Sequence, residues 1–364
     1  MRLSLTLSAY LGRLFLFWFV VVLFGLIATI FLFDLIELLR RAASRTDATL
    51  AIVLKMALLR VPNLAQQMVP FVTLFATMVA FWRLSRSHEL TVVRAAGVSV
   101  WQFLSPVIVL AVLIGALTVM VLNPVAAVFY SQYEQIEAKF LRGRTGLLAV
   151  SSTGFWLRQA DGQSNSVIHA LRVSSHDMEL YDAIIFNFEG QDRFQSRIDA
   201  SVAQLEPGYW RLRDARIYTP NTPPRFEAEY RVPTDMTAER IQDSFASPET
   251  ISFWDLPEFI DVLDRAGFSA TRHRLHWQSL LAAPLLLAAM VLVAATVSMR
   301  PPRRGGAGIL IISGIVAGFL LFFLTKLVGA LGQNGTIPVV LAAWAPALAS
   351  TMLGLTSLLH LEDG

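Results

Sequence analysis

The sequence contains no cysteine among its 364 residues. Disulfide bonds and thiolate-bound metal sites are therefore excluded, and cysteine usage gives no indication of the redox compartment. Charge is also scarce, since charged residues make up 16% of the chain and the formal net charge is only +3. The basic residues lie beside apolar runs and form no continuous stripe, which argues against nucleic acid as a partner.

Motifs for nucleotide binding and nucleophilic catalysis are absent as well. The sequence has no glycine-rich loop ending in Gly-Lys-Ser/Thr and no nucleophile elbow. Its six histidines do not cluster, except for His273 and His276, and a third metal ligand is missing near that pair. Polar anchoring at a membrane surface explains the pair better than a metal site. We therefore expect no catalytic residue, metal or cofactor in this chain, so work against a gradient would need an energy-supplying partner.

Long apolar runs are what the chain has in abundance. Hydrophobic residues make up 55% of it, and the mean hydropathy is +0.55. Six runs reach roughly 20 residues, enough for a helix to cross the ~30 Å hydrocarbon core of a bilayer. They are Leu14 to Ile36, Met56 to Phe81, Trp101 to Leu122, Leu275 to Met299, Ile309 to Gly329 and Ile337 to Leu359. The first is expected to remain as a span because no clear cleavage site follows it. The pattern predicts an α-helical integral membrane protein with six transmembrane helices, three before and three after an insert.

The insert is polar and runs from about Pro124 to Ala270. Apolar and charged residues alternate between Arg225 and Val232, which is the two-residue period of a half-buried strand. Similar stretches separated by turns predict an antiparallel β domain, either a sandwich or jelly-roll-like. The sequence thus divides into residues 1–124 with three spans, 125–270 with the β domain and 271–364 with three further spans.

The distribution of basic residues predicts the orientation of the chain. With the N-terminus in the cytoplasm, the inside segments hold Arg2, Arg13, Arg83, Arg86, Arg94, Arg300, Arg303 and Arg304. The opposite orientation would place fewer basic residues inside. The positive-inside rule therefore favours cytoplasmic termini and a β domain outside, in the periplasm if the cell has one.

A short charged segment at about residues 83–99 follows the second span. Leu90, Val93 and Arg94 share a helical face, and Gly97 is a plausible helix stop. Two interpretations stay open: a solvated surface helix, or a coupling helix gripped by a cytoplasmic ATPase. In the second, Leu90 and Val93 are apolar anchors and the charges of Arg86, Glu89 and Arg94 set the register. A catalytic role for Glu89 and Arg94 is disfavoured, because a lone acid beside basic residues is usually a solvated face.

A second basic set lies at the opposite ends of the spans, where the positive-inside rule disfavours it: Arg40, Arg41, Arg45, Arg60 and Lys326. Glu37 precedes the first two by three and four residues, a spacing that places opposite charges on one helical face. Snorkelling to lipid headgroups explains single residues of this kind. Clustering also fits a phosphorylated lipid at the outer leaflet, because guanidinium groups bind phosphates through paired hydrogen bonds. Both interpretations stay open.

Several features follow one another along the whole chain. They are Tyr10-Leu11-Gly12-Arg13 at the start of the first span, Pro62 and Pro70, the Glu89 to Ser99 segment, the strand-rich insert, Pro284, the Arg300 to Gly306 loop, and Pro338 and Pro346. In this order and layout, the chain resembles the lipopolysaccharide-export permeases of the Lpt system. The last span and the paired basic residues after the first span are more similar to the G-type than to the F-type subunit.

The resemblance implies one half of an ATP-driven exporter. Such subunits pair with a homologous F-type permease, and a cytoplasmic LptB-like ATPase dimer, which holds the ATP and magnesium, drives both. The pair extracts lipopolysaccharide from the outer leaflet of the inner membrane and passes it to a periplasmic bridge protein, with a single-span LptC-like protein as a further partner. Carried over by residue, Arg86 to Ser99 match the ATPase-coupling helix, and Arg40 and Arg41 match the lipid-phosphate contacts at the substrate gate.

Two rival classes fit less well. An ATPase-linked permease that only signals to periplasmic partners usually carries its outer domain after the first span, whereas this insert follows the third. A membrane enzyme that modifies lipids needs acids or histidines clustered at one membrane face, and the sequence shows no such cluster.

Overall fold

A computed structural model of the chain describes residues 5–43, 49–142, 148–151, 154–161, 164–174, 179–189, 193–220, 222–234, 236–237, 241, 246–265, 269–298 and 306–362. The chain forms two compact units. The membrane unit comprises Met1–Leu141, Glu249–Trp254 and Arg274–Gly364, and the β unit comprises Arg142–Pro248 and Asp255–His273. The chain therefore leaves the membrane unit twice and returns to it twice.

Among the described residues, six helices are long and apolar enough to cross a membrane. α1 (Leu5–Ala42) and α2 (Leu50–Arg86) come first, followed by the short α3 (Glu89–Ala95). The third span combines α4 (Val100–Leu117), a π-helical stretch (Thr118–Leu122), α5 (Asn123–Glu137) and a second π-helical stretch (Ala138–Arg142). Beyond α6 (Leu256–Arg265) of the β unit, the last three spans are α7 (Thr271–Ser298), α8 (Gly306–Gln333) and α9 (Val339–Glu362). The predicted three-plus-three arrangement is confirmed.

The third span continues through Pro124, which follows a π-helical stretch and lies in the first turn of α5, where a missing N–H is tolerated. Proline has no N–H to donate to the carbonyl four residues back, which is that of Met120. The indole Nε1 of Trp254 donates to this carbonyl instead, at 3.4 Å. Residues 125–142 are accordingly helical, and the strands begin at Leu148.

One apolar core joins most helices of the membrane unit. Its buried members come from α1, α2, α3, α4, α7 and α9, and include Phe15, Phe81, Leu90, Leu104, Val291 and Leu358. The amides of α2 are paired inside the protein. Gln67 donates to Asn63 within the helix at 2.7 Å, and Asn123 of α5 donates to Gln66 at 3.3 Å. Such partners are what amide side chains within a span require.

The β unit contains one antiparallel sheet. Its strands are β1 (Leu148–Ser151), β2 (Gly154–Asp161), β3 (Ser164–Ala170), β4 (Arg172–Ser174), β5 (Glu179–Glu189), β6 (Arg193–Glu206), β7 (Tyr209–Tyr218) and β8 (Arg225–Pro233). They lie in chain order, with β3 and β4 both pairing with β5. The predicted antiparallel β domain is confirmed, and alternate residues fill its core, among them Leu157, Ile168, Ile185, Ile198 and Leu212.

Three neighbouring strands interrupt the alternation of buried and exposed residues at adjacent positions of the sheet. The register of β5, β6 and β7 places Asp182, Ser201 and Asp214 side by side. Both aspartates have φ of 54°, and Ser201 Oγ lies 2.9 Å from Asp214 Oδ2. Buried positions on either side of these residues are three residues apart, as in Ala200 and Ala203, whereas a regular strand needs an even spacing. The sheet therefore has a crease, defined by Asp182, Ser201 and Asp214.

A buried polar contact joins the second strand to the end of the last one. Gln159 of β2 donates through Nε2 to the carbonyl of Pro233 at 3.3 Å, and Thr234 Oγ1 donates to Gln159 Oε1 at 2.7 Å. The backbone N–H of Met236 donates to Thr234 Oγ1 at 3.1 Å. Because β2 and β8 are not neighbours in the sheet, this contact shows that the sheet curls round its core.

Candidate functional site

The C-terminal end of α1 presents a paired arginine site. Arg40 donates through Nε and Nη2 to the two carboxylate oxygens of Glu37, both at 2.9 Å, and Arg41 Nε donates to the same carboxylate at 2.9 Å. This confirms the ion pairs that the three- and four-residue spacing predicted. Arg40 keeps 76% of its side chain exposed. The site is therefore accessible, and one carboxylate orients both guanidinium groups.

Two further acids from inside the helix packing face this end. Arg41 Nη1 lies 3.4 Å from Glu137 of α5. Arg60 of α2 pairs with Asp34, whose side chain is only 8% exposed, and its guanidinium lies 5.6 Å from the ring centre of Tyr133. The structure thus brings together three described members of the basic set, which we name the arginine cluster: Arg40, Arg41 and Arg60.

The sequence did not point to Asp34, Tyr133 or Glu137 as members of this site. Acids inside or at the margin of an apolar span are rare, and this was the signal that could have identified Asp34 and Glu137. Their partners could not be named from the sequence, because Asp34 and Arg60 are 26 positions apart and Arg41 and Glu137 are 96 positions apart.

Lys326 is a further described member of the basic set, on another helix. Lys326 is exposed on α8, with Nζ 5.7 Å from the ring centre of Phe322 in the same helix. Arg45 lies outside the described residues.

On two helices, exposed apolar residues precede a basic residue on the same side of the helix. On α1, Phe33, Ile36 and Arg40 follow at intervals of three and four residues, and on α8 the same intervals separate Phe319, Phe322 and Lys326. Residues at such intervals lie on one side of a helix. Phe33 is 70% exposed, and the other three apolar residues are also exposed. Each helix therefore presents an apolar face that ends in a positive charge.

A second site of interest is α3, the predicted charged helix. Tyr10 of α1 donates its hydroxyl to Glu89 Oε2 at 2.8 Å, and Ser87 Oγ donates to Glu89 Oε1 at 2.8 Å. The guanidinium of Arg86, the last residue of α2, lies 5.4 Å from the ring centre of Trp82. Arg94 belongs to the helix, but its side chain lies outside the described part. Gly97 follows the helix with φ of 77°, a left-handed conformation that suits glycine.

The two faces of α3 differ from the arrangement expected from its sequence. Leu90 is 7% exposed and belongs to the core of the membrane unit, with Val93 packed partly against it. Val92 is 67% exposed and points away from the protein, as does Thr91. Leu90 and Val93 therefore fix the helix to its own chain, and Val92 is an exposed apolar residue of α3.

These features define a class: a multi-pass membrane protein with an inserted antiparallel β domain and cations at the ends of exposed apolar helix faces. The chain belongs to the family of the lipopolysaccharide export system permeases LptF/LptG, whose sequence profile matches residues 9–360. It is therefore a permease of lipopolysaccharide transport.

Two relatives show how far the similarity extends. The lipopolysaccharide export system permease protein LptG of Escherichia coli (strain K12) is 25% identical over 360 residues, covering 97% of this chain and 98% of the relative. LptG of Haemophilus influenzae (strain ATCC 51907 / DSM 11121 / KW20 / Rd) is 24% identical over 306 residues, covering 80% of each chain.

Proposed function

We propose that this chain is the G-type permease subunit of an ATP-driven exporter. The exporter extracts lipopolysaccharide from the outer leaflet of the inner membrane and passes it to a periplasmic bridge toward the outer membrane. One observation carries the proposal: α1 and α8 each present an exposed apolar face that ends in a cation, Arg40 or Lys326. A phosphorylated lipid has the matching form, with acyl chains for the apolar face and phosphate for the cation.

The arginine cluster has the chemistry to bind phosphate. A guanidinium group carries five N–H donors in a planar fork, and Arg40 uses two of them on Glu37. Its remaining donors are free to meet phosphate oxygens while Glu37 keeps the group in place. Arg41 stands beside it, so one phosphate or two neighbouring phosphates can bind across the pair.

The energy comes from outside the chain, because the sequence has no nucleotide-binding loop. A cytoplasmic ATPase dimer that carries ATP and magnesium supplies it through α3, which we name the coupling helix. Val92 and the Glu89 carboxylate are the groups that this helix turns toward the ATPase. A homologous F-type permease completes the transmembrane pair, and a periplasmic bridge protein and an LptC-like protein receive the lipid.

The proposed orientation places both termini in the cytoplasm and the β domain in the periplasm. It is supported by the greater number of arginines in the short segments beside the coupling helix and the termini. It also places the arginine cluster at the outer leaflet, where the lipid is extracted.

The test reverses charge at the lipid site and at the coupling helix separately. Arg40→Glu with Arg41→Glu should lower the amount of lipopolysaccharide bound to the purified complex by about tenfold or more, because each lost charge-assisted contact is worth ~1.5–3 kcal/mol. Assembly with the ATPase should stay intact. Glu89→Arg should do the opposite, and native mass spectrometry of the complex measures both quantities.

Arg225→Glu is the matched control, because Arg225 is also an exposed arginine that pairs with a carboxylate, Glu227, at 3.0 Å. It should leave bound lipid unchanged. If Arg40→Glu with Arg41→Glu and Glu89→Arg are both silent in transport, the assignment of sites is wrong. A complex that holds an ATPase but neither lipid nor a second permease would instead favour a protein that only signals to periplasmic partners.

A further inference from the structure

A side-chain hydrogen bond connects the first span to the coupling helix. The Tyr10 hydroxyl of α1 donates to Oε2 of Glu89, the first residue of α3, at 2.8 Å. The two residues are 79 positions apart, so helix packing and not local sequence brings them together. Any displacement of Glu89 along the donor–acceptor axis therefore acts on α1.

The Glu89 carboxylate is oriented from two sides. Ser87 Oγ donates to Oε1 at 2.8 Å from within the turn between α2 and α3. His88 in that turn has φ of 60°, a left-handed conformation that is uncommon for a residue with a side chain. This conformation sets the direction in which the chain enters α3. Glu89 is thus held by its own turn through one oxygen and by α1 through the other.

The helix at the other end of this hydrogen bond is continuous. α1 contains 38 residues and no proline, so it spans about 57 Å as one hydrogen-bonded rod. α2 is similar in length but carries Pro62 and Pro70, each of which interrupts the backbone hydrogen bonding of a helix. Tyr10 lies near the start of α1, and Arg40 and Arg41 lie at its end. The same rigid element therefore holds the contact with the coupling helix and the lipid site.

We propose that Tyr10 is a positioning residue that ties the coupling helix to α1, so that movement of α3 reaches the arginine cluster through a single helix. This inference rests on the proposed function, since it assumes that the ATPase moves α3. It adds a residue and a route: the Glu89 carboxylate receives the movement, the Tyr10 hydroxyl passes it to α1, and α1 shifts Arg40 and Arg41 relative to the bound phosphate.

Leu90 gives a second contact of a different kind. It packs in the same apolar core as Leu11 and Phe15 of α1. Apolar packing keeps helices together but has no preferred direction, whereas a hydrogen bond fixes the angle between donor and acceptor. Removal of the Tyr10 hydroxyl should therefore leave α3 docked and disturb only the transmission of its movement.

The decisive comparison is between Tyr10→Phe and Ser87→Ala. Each variant removes one 2.8 Å hydrogen bond from the same carboxylate, but only Tyr10→Phe cuts the link to α1. Both are tested in proteoliposomes that contain the complete exporter, with lipopolysaccharide released per ATP hydrolysed as the readout. Tyr10→Phe should lower this ratio by about threefold to tenfold, less than the full effect of a charge-assisted hydrogen bond because this one is exposed, and Ser87→Ala should lower it by less than twofold. Affinity for the ATPase and for lipopolysaccharide should stay unchanged in both.

Each other outcome counts against the proposal. Equal losses in the two variants would mean that orientation of the carboxylate matters and the link to α1 does not. An unchanged ratio in Tyr10→Phe would mean that the hydrogen bond transmits nothing. A loss that follows weaker ATPase binding would assign Tyr10 to docking.

Hydrogen exchange on the chain alone separates this inference from the proposed function. In nanodiscs without ATPase or lipopolysaccharide, Tyr10→Phe should speed amide exchange in α3 by about threefold, and Ser87→Ala should not affect the first turns of α1. If the parent complex fails to release lipopolysaccharide, the proposed function is wrong while the exchange result still decides whether the link exists. If exchange is the same in Tyr10→Phe and the parent chain, the link is absent whatever the complex transports.

Discussion

The described arginines of the cluster have different surroundings. Arg40 lies in solvent and shares the Glu37 carboxylate with Arg41, so its ion pair is exposed and makes little difference to stability. Arg60 pairs with the nearly buried Asp34 and stacks near Tyr133, which places a charged contact among α1, α2 and α5. Arg40 therefore suits ligand binding, and Arg60 suits the joining of helices.

Removal of one partner from the Asp34–Arg60 pair should be costly. We expect Arg60→Met to destabilise the chain by about 3 kcal/mol, at the low end of the range for a broken buried pair because Arg60 is one-third exposed. The cause is that the nearly buried Asp34 carboxylate then loses its ion-pair partner. Thermal unfolding in detergent measures the change.

Two further variants control this expectation. Arg40→Met should leave unfolding unchanged, since its pair is at the surface. The double change Asp34→Leu with Arg60→Met should restore most of the stability, because apolar residues can replace a buried pair without loss. A double variant as unstable as Arg60→Met would show that the pair is not the cause.

Local spacing explains which part of the arginine cluster the sequence could predict. Glu37, Arg40 and Arg41 lie within five positions, so helical geometry alone brings them together. The Asp34–Arg60 and Arg41–Glu137 pairs depend on how α1, α2 and α5 pack. The spacing of residues within one helix does not predict how that helix packs against others.

At the scale of helices and strands, the spacing of apolar residues predicted whether a segment is a helix or a strand better than it predicted which face of the segment is exposed. α3 was expected as a short helix, and the structure has one at Glu89–Ala95. The helix turns Leu90 into the core and Val92 outward because α1, α2 and α4 pack on the Leu90 side. The strands were likewise expected from their alternation. The crease was not, because a shift shared by three strands depends on the left-handed conformation of Asp182 and Asp214.

Close approach of two helices gives a test at this scale. A Cβ added to Gly115 of α4 would lie 2.6 Å from Pro284 Cα of α7. The neighbour is backbone within a helix, so it cannot move aside as the end of a flexible side chain can. We expect Gly115→Ala to destabilise the chain by about 1–3 kcal/mol through overpacking. Thermal unfolding in detergent again measures the effect.

Gly25 of α1 is the matched control, because it is also a glycine inside a spanning helix and a Cβ there meets nothing within 4 Å. Gly25→Ala should be neutral or slightly stabilising, since alanine favours the helix. Equal effects at the two positions would show that helix propensity and not the α4–α7 contact decides the outcome.

At the scale of the whole molecule, composition predicted the order of the spans and the β domain. It did not predict the points at which the chain passes from one unit to the other. The apolar runs and the polar insert predicted three spans, a β domain and three spans, and the structure has that order. The chain passes between the units at residues 141–142, 248–249, 254–255 and 273–274. The short return at Glu249–Trp254 could not be foreseen, because neither period nor hydropathy marks six residues that bind to a membrane helix.

This return segment, which we name the strap, is held mainly by the third span. The backbone N–H of Phe253 donates to Asn123 Oδ1 at 2.7 Å, and the Phe253 ring stacks on Trp277 with centroids 6.4 Å apart. The Asn123 side chain is buried, and its Nδ2 donates to Gln66 Oε1 at 3.3 Å. One asparagine thus holds both α2 and the strap, directly before the chain enters the β unit again.

We expect Asn123→Leu to release the strap. Phe253 then loses the acceptor for its N–H at a part-buried site, so amide exchange across Glu249–Trp254 should rise by about tenfold, as measured by hydrogen exchange in nanodiscs. Gln66→Ala is the control, because it removes the contact between α2 and Asn123 and leaves the Phe253 hydrogen bond in place. Exchange that stays slow in Asn123→Leu would show that the rings of Trp254 and Trp277 hold the strap without the asparagine. Equal acceleration in both variants would instead show that the strap depends on the contact between Gln66 of α2 and Asn123.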